Sequence, residues 1–184
     1  MSKSTRGFTI VELLIVIVVI AILAAISIVA YNGIKQRADN TAIINAASQS
    51  IKSVQAYYAA NSEYPFTGGA NVCVTTAVTC VRDEGTTEAN NTTFNTNIAT
   101  IGTPPASVPT SGSVANGIMY NYLSSRTFNG KSQPAMIFYW LNGINKECGV
   151  GNIMNAWSPA VTATGTHTNG NSAGKTLCFI SIAV

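Results

Sequence analysis

The feature that most constrains this chain is a long apolar run near its N-terminus. Residues 13–34 contain no charged side chain, and about 20 apolar residues are enough to span a bilayer as a helix. A secretory signal peptide has a shorter apolar core, of about 7–15 residues, followed by a small-residue cleavage site. The run therefore predicts a membrane-spanning helix. Lys3 and Arg6 precede it, and by the positive-inside rule they keep the N-terminus cytoplasmic and send the C-terminal part outward.

One acidic residue, Glu12, lies at the start of this apolar stretch. A carboxylate at depth in a bilayer costs about 2.5 kcal/mol or more, so such residues are rare without a partner or a function. An acid in the first turn of a helix is also favoured by the helix macrodipole. The macrodipole does not account for the basic leader and the Gly7-Phe8 junction beside Glu12, and we therefore treat Glu12 as a candidate functional residue.

The helix is predicted to continue past the membrane. Between residues 44 and 58 apolar side chains recur at spacings of three and four, which is one face of an amphipathic helix. No proline occurs between residues 8 and 61, and Gly33 is the only glycine in that range. Pro65 disfavours helical backbone at Tyr64. We expect one helix from Phe8 to about Ala60.

After Pro65 the composition becomes polar. Residues 66–117 are rich in Thr, Asn, Gly, Ser and Pro and predict a connecting region with little regular structure. Residues 162–174 predict a polar loop. Strands are predicted where β-branched and aromatic residues lie between turn formers: residues 118–123, 135–141 and 177–184, with residues 153–157 as a candidate fourth.

Charge and motif content argue against catalysis and against nucleic-acid binding. Only 9% of residues are charged and the formal net charge is +3; without a basic cluster interleaved with aromatics, a nucleic-acid partner is unsupported. His167 is the only histidine, and no signature of a nucleophile or orienting acid accompanies it. Asp83, Glu84 and Glu88 lack the spacing of a calcium loop, so a solvated turn is favoured there. No metal site and no cofactor is predicted.

Four cysteines lie in the polar part of the chain: Cys73, Cys80, Cys148 and Cys178. An even number of cysteines in an exported domain predicts two disulfides, and four cysteines allow three connectivities. Zinc sites need tight cysteine pairs with about two residues between them, and these cysteines are spaced too widely.

The N-terminal residues resemble the type IV prepilin family, which includes type IV pilins and the pseudopilins of related machines. A basic leader and Gly7 precede Phe-Thr-Ile-Val-Glu-Leu-Leu and an unbroken apolar helix; the resemblance is strict over residues 3–31. It implies an α+β fold in which a long N-terminal helix packs on a small antiparallel sheet. The implied segments are a cleaved leader (residues 1–7), a transmembrane and filament-core helix (8–34), its amphipathic continuation (35–61) and an extracellular globular head with disulfide-pinned loops (62–184).

The resemblance also implies roles for single residues. A prepilin peptidase would cut between Gly7 and Phe8 and then N-methylate the new Phe8 amine; a residue without a side chain lets the peptidase approach the backbone closely. Glu12 would pair with a Phe8 amine and fix the register of assembly, because leaving either charge unpaired in a low dielectric is unfavourable. Whether that amine belongs to the same chain or to a neighbour stays open.

Two further expectations come with the resemblance. Many type IV pilins carry a helix-breaking residue inside the apolar segment; this chain has none before Gly33, so the weakest point of the helix is expected near Asn32-Gly33. A bridge between Cys73 and Cys80 is local and easy to form. Cys148 and Cys178 would then close a loop between the last strands, as the C-terminal disulfide does in many pilins.

The predicted function is that of a structural, non-enzymatic subunit, a major or minor pilin. Its partners would be other pilin subunits, the prepilin peptidase and the pilus assembly platform. It would lie in the cytoplasmic membrane before assembly and in an extracellular filament afterwards. The alternatives are a pseudopilin of a type II secretion or DNA-uptake machine and an uncleaved, membrane-anchored binding protein. Tyr139, Trp140 and Trp157 are expected to anchor the sheet on the helix rather than to form an adhesive patch.

Overall fold

The computed structural model describes residues 7–82, 85–108, 115–163 and 174–184, and the backbone of residues 170–172. The chain divides into two compact units, Met1–Ala38 and Asp39–Val184. One helix, α1 (Ile10–Asn61), contributes residues to both units. We describe the two units separately.

The first unit is helical from Ile10 onward and presents apolar side chains around its whole circumference. The large apolar residues from Phe8 to Ile34 are all exposed, from 47% at Val18 to 87% at Ile10. Such a surface requires a lipid or protein partner. Among the described residues, α1 is the one helix long and apolar enough to cross a membrane. The helix runs through Gly33 without interruption.

In its described residues, the second unit combines the C-terminal part of α1 with a short helix and ten strands. The short helix is α2 (Thr92–Ala99). The strands are β1 (Val72–Cys73), β2 (Cys80–Val81), β3 (Thr87–Glu88), β4 (Ile118–Tyr122), β5 (Thr127–Phe128), β6 (Lys131–Ser132), β7 (Ala135–Asn142), β8 (Ala160–Val161), β9 (Gly170–Ser172) and β10 (Lys175–Ser181).

The main sheet has five strands in the order β1-β4-β7-β10-β9, and every neighbouring pair is antiparallel. Two small sheets, β2-β3 and β6-β5-β8, accompany it. A long N-terminal helix on an antiparallel sheet confirms the predicted α+β fold. The three predicted principal strands correspond to β4, β7 and β10, whose side chains are almost all buried.

The polar middle of the chain is more regular than predicted. It contains β1, β2 and β3 as well as α2, in which the buried Phe94 and Ile98 lie one turn apart. Asn91 caps this helix, since its side chain accepts a hydrogen bond from the Phe94 amide at 2.9 Å. Two apolar residues in a Thr- and Asn-rich segment are too few to reveal a helix by periodicity. The expectation of a region with little regular structure was therefore wrong at α2.

Two smaller expectations also differ from the structure. The candidate fourth strand, residues 153–157, forms only isolated bridges at Ile153 and Met154. The predicted loop at residues 162–174 contains β9, which extends the main sheet by pairing with β10.

The buried stripe of α1 lies beside the predicted one. Its buried residues are Ile43, Ala47, Ser50, Val54 and Tyr57. The predicted positions 44, 51 and 58 are half-buried and flank this stripe. The spacing of three and four is as predicted, but the helix is rotated so that the neighbouring row faces the sheet.

The aromatic residues of β7 divide between the two faces of the sheet, because successive side chains along a strand alternate. Ile180 of β10 lines a groove together with Ile51 of α1, so its face of the sheet is the one toward the helix. Ile137 pairs with Ile180 and shares this face. Tyr139, two residues further along β7, therefore lies on the helix side as well. Trp140 lies on the opposite face. There it borders a cavity with Trp157, and none of the described residues lining that cavity belongs to α1. The expectation that Trp140 and Trp157 anchor the sheet on the helix was wrong.

Disulfides join Cys73 to Cys80 and Cys148 to Cys178, with Cα–Cα distances of 5.4 and 5.7 Å. These are the two pairs that the resemblance implies. All four cysteines are fully buried. Each bridge therefore forms part of the core of the second unit as well as a covalent constraint on its loops.

Candidate functional site

The candidate site begins at the junction between Gly7 and Phe8. Gly7, Phe8 and Thr9 precede the helix in irregular backbone, and Phe8 is 79% exposed. A Cβ built on Gly7 would meet nothing within 4 Å. The peptide bond at this junction is therefore open to an approaching enzyme and is not locked into helical hydrogen bonds.

Thr9 and Glu12 form a reciprocal hydrogen-bonded cap at the start of α1. The Thr9 amide and hydroxyl donate to Oε2 of Glu12 at 2.9 and 2.6 Å. The Glu12 amide in turn donates to the Thr9 hydroxyl at 3.2 Å. This is a capping box, in which a Thr and a Glu three residues apart satisfy otherwise unpaired amides of the first helical turn.

The sequence reasoning singled out Glu12 but missed Thr9. The signal was present, since Thr-x-x-Glu before an apolar run is the sequence pattern of a capping box. Its consequence is that the Glu12 side chain is already held by its own chain. The carboxylate is fixed at the helix start by Thr9, which directly follows Phe8. Cleavage after Gly7 would leave a free amine at Phe8.

The two bonds from Thr9 both end on Oε2, and no hydrogen bond to Oε1 is recorded within the described residues. A carboxylate can accept about four hydrogen bonds. The cap therefore uses part of its capacity, and Glu12 can hold its position while accepting a bond from a cationic group.

The remaining sequence candidates lie in the second unit or outside the described residues. His167, Asp83 and Glu84 lie outside the described residues. Glu88 lies 3.6 Å from the Nε of Arg82 and also accepts a bond from the Asn71 amide at 3.1 Å. Among the described residues no cluster of three or more His, Cys, Asp or Glu could hold a metal ion.

Comparison with known families gives one match at the N-terminus. Residues 2–28 match the family described as the prokaryotic N-terminal methylation motif. The matched range includes Gly7, Phe8, Thr9 and Glu12 together with most of the apolar run. It confirms the resemblance drawn from these residues: the N-terminal segment of the chain is similar to that of type IV pilin and pseudopilin precursors. Comparison with curated proteins and with solved structures found no match.

Proposed function

We propose that this type IV pilin-like chain is a structural subunit, a major or minor pilin, of a type IV pilus. The observation that carries the proposal is the methylation motif at residues 2–28, together with an exposed, non-helical Gly7-Phe8 junction directly before an apolar helix. The apolar part of α1 would anchor the subunit in the membrane first and form the filament core later. The second unit would lie outside the membrane and form the filament surface. The chain would catalyse nothing itself.

Processing is the first step of this proposal. A prepilin peptidase would cleave between Gly7 and Phe8 and methylate the Phe8 amine. Thr9 keeps its amide after this cut, because the Phe8–Thr9 peptide bond is not touched. The capping box with Glu12 would therefore hold the start of α1 in the precursor and in the mature subunit alike.

Charge pairing is the second step. Cleavage creates an ammonium at Phe8 in an otherwise apolar setting, where an unpaired charge is strongly unfavourable. Glu12 offers the carboxylate, and its Oε1 is not used by the cap. Because Thr9 already holds Oε2, we propose that Oε1 receives the Phe8 amine of a neighbouring subunit. Pairing between chains would then set the register of the filament.

Mass spectrometry of the mature N-terminus tests the proposal. A chain that begins at N-methyl-Phe8 supports it, and a chain that retains Met1 or Ser2 contradicts it in favour of an uncleaved surface protein. Gly7→Leu should retain the leader, whereas Ser4→Leu, the matched control within the leader, should be cleaved normally.

The assembly system is tested by abundance. A pilus subunit should be a component of filaments sheared from the cell surface, whereas a pseudopilin should be scarce in them. Type II secretion or DNA uptake that fails on deletion, with no change in surface filaments, would favour the pseudopilin alternative.

A further inference from the structure

A small cavity lies on the face of the main sheet that points away from α1. Its volume is about 210 Å³, and it is lined by Arg82, Phe138, Trp140, Trp157, Leu177 and Phe179. Two cross-strand pairs form its floor, Trp140 with Leu177 and Phe138 with Phe179. Pockets for drug-sized ligands have about 300–1,000 Å³. This cavity is smaller, and it suits a single ring.

Trp157 forms a fixed wall of the cavity, although it is 44% exposed. Its indole meets Phe138 at 5.2 Å with the planes at 90°, and Phe179 at 5.7 Å with the planes at 68°. The guanidinium carbon of Arg126 lies 5.7 Å from the indole centroid. A large aromatic surface held on several sides and left partly open is preorganised for a ligand.

Arg126 is held firmly enough to support this wall. It is 1% exposed and donates to the Pro134 carbonyl at 2.7 Å and to Oδ1 of Asn121 at 2.8 Å. Burial lowers the pKa of Arg126 to about 10, so the group stays charged at neutral pH. The Asn121 amide passes a hydrogen bond on to Asn71 at 3.1 Å.

Arg82 lines the cavity, and its ion-pair partner Glu88 lies beside it just outside the lining residues. Arg82 is about two-fifths exposed, and its Nε lies 3.6 Å from Oε1 of Glu88, which is one-fifth exposed. That distance is too long for a hydrogen bond. The pair therefore presents guanidinium donors and a carboxylate acceptor side by side. Glu88 is held in place by the Asn71 amide.

A buried donor next to the floor also lacks a partner. Trp140 is 1% exposed, and its indole N–H makes no hydrogen bond within the described residues. A buried N–H without a partner is destabilising. This donor belongs to a residue of the cavity floor but is itself shielded from solvent.

The chemistry of the walls selects the ligand. The indole of Trp157, which is partly exposed, is electron-rich on its faces and attracts C–H groups that carry partial positive charge. A guanidinium donor beside a carboxylate acceptor matches hydroxyl groups, which are both at once. A free anion would meet Arg82 but would be repelled by Glu88, and a lipid chain would offer this ion pair no hydrogen bond. We propose that this cavity binds one pyranose ring of a neutral saccharide, stacked on Trp157 with its hydroxyls bridging Arg82 and Glu88.

Saturation-transfer NMR on the full chain, in nanodiscs free of glycolipid and of sugar detergents, tests this proposal. The probes are millimolar methyl β-glucopyranoside, methyl β-galactopyranoside and methyl N-acetyl-β-glucosaminide, with cyclohexanol and sodium glucuronate for comparison. We expect transfer to the ring C–H protons of at least one neutral pyranoside, and weaker transfer to cyclohexanol and glucuronate. Equal or stronger transfer to cyclohexanol would indicate an apolar site, and stronger transfer to glucuronate would indicate an anion site. Either result overturns the proposal. The proposal is also overturned if none of the three pyranosides shows transfer.

Variants locate the site. Trp157→Ala should abolish the transfer. Trp157→Phe keeps an aromatic ring and should retain part of the transfer, and it serves as the test should Trp157→Ala fail to fold. Arg82→Gln should weaken binding about tenfold, the equivalent of one hydrogen bond to a charged group. Ile144→Ala removes an apolar side chain that is 56% exposed and outside the cavity, and it should bind normally. Unchanged binding in both Trp157→Phe and Arg82→Gln would overturn the site. The proposal concerns the single chain and stands or falls independently of leader cleavage and assembly.

Discussion

The side chain of Asn40 on α1 makes two hydrogen bonds to the backbone of Asn142 at the end of β7. Its amide nitrogen donates to the Asn142 carbonyl at 3.1 Å, and its Oδ1 accepts from the Asn142 amide at 2.8 Å. The carboxamide thus acts like a peptide group of an additional strand. Asn40 lies one residue inside the second unit, which begins at Asp39. This pair fixes the point at which α1 becomes part of the globular fold.

Replacing Asn40 should destabilise the second unit. Asn40→Ala removes both hydrogen bonds and should lower the free energy of unfolding by about 1–2 kcal/mol. Asn40→Asp should also be destabilising, because a carboxylate cannot donate to the Asn142 carbonyl. Urea denaturation of the full chain, followed by circular dichroism, measures the loss. Asn32→Ala on the exposed part of α1 is the matched control, and helix propensity alone predicts no loss there because Ala is the better helix former. An equal loss in both variants would contradict the role of the Asn142 contacts.

Gly149 should be intolerant of a side chain for two separable reasons. Its φ is +73°, and a Cβ would lie 2.8 Å from Cγ2 of Ile44 on α1. Gly130 has a similar φ of +77° with nothing within 4 Å of its Cβ position. We expect Gly130→Ala to lose only the backbone term of about 1–2 kcal/mol and Gly149→Ala to lose more. Thermal unfolding of the two variants decides, and equal losses would contradict a close contact with the helix.

The two disulfides should differ in their contribution to stability. The Cys148–Cys178 bridge spans 30 residues and the Cys73–Cys80 bridge spans 7. Chain entropy then predicts about 3.7 and 2.5 kcal/mol respectively. Double Cys→Ala variants of each pair, unfolded in urea, test the order. Peptide mapping under non-reducing conditions checks the pairing, and a peptide linking Cys73 to Cys148 or Cys178 would contradict it.

Alkaline pH should unfold the second unit through its buried tyrosines. Burial raises the pKa of Tyr64 to about 12 and holds the pKa of Tyr120 and of Tyr139 well above the ordinary value. A tyrosine with a raised folded pKa contributes its full stability below the unfolded pKa, near 10, and loses it as the pH rises toward the folded pKa. Above pH ~10 we expect a loss of up to about 1.4 kcal/mol per pH unit for each of Tyr120 and Tyr139, and less for the half-buried Tyr64, whose charge solvent screens.

Tyrosinate absorbance and circular dichroism, recorded together from neutral to alkaline pH, check this expectation. The buried tyrosines should ionise only as the fold is lost. Tyr139→Phe should make the decline of stability with pH less steep by about one group. Ionisation of every tyrosine near pH 10 in a chain that stays folded would contradict the prediction.

The roles of Thr9 and Glu12 can be separated by a pair of variants. Glu12→Gln keeps an acceptor for the Thr9 cap but removes the charge, and we expect cleaved subunits that do not assemble, since an unpaired buried charge costs about 3–5 kcal/mol. Thr9→Val removes the two hydroxyl bonds of the cap, worth about 1 kcal/mol, and keeps the backbone bond and the charge, so assembly should persist at a reduced yield. Electron microscopy of sheared filaments is the measurement. Normal filaments from Glu12→Gln would refute charge pairing, and so would normal filaments from Glu12→Leu, which removes the charge and the cap together.

The sequence identified the elements that depend on neighbours along the chain. The apolar run, the Gly7-Phe8 junction and Glu12 lie within one contiguous segment, and the three principal strands carry local alternation and turn formers. The sequence also predicted the spacing of the buried residues on α1. It did not predict which of two adjacent rows, 43-47-50-54 or 44-47-51-54, faces the sheet. That choice depends on the residues opposite, such as Gly149 against Ile44.

Other features were absent from any local pattern. α2 is hidden because only Phe94 and Ile98 mark its buried side. The aromatic cavity is lined by Arg82, Trp140, Trp157 and residues of β10, which lie far apart in the sequence and meet only in the folded chain. The pairing of β7 with β10 also decides which face of the sheet carries Trp140 and which carries Tyr139. The apolar helix and its cap depend on residues within a few positions of one another, and the sequence alone determined them. The facing of α1 and the formation of the cavity depend on contacts between distant segments, and only the tertiary structure decided them.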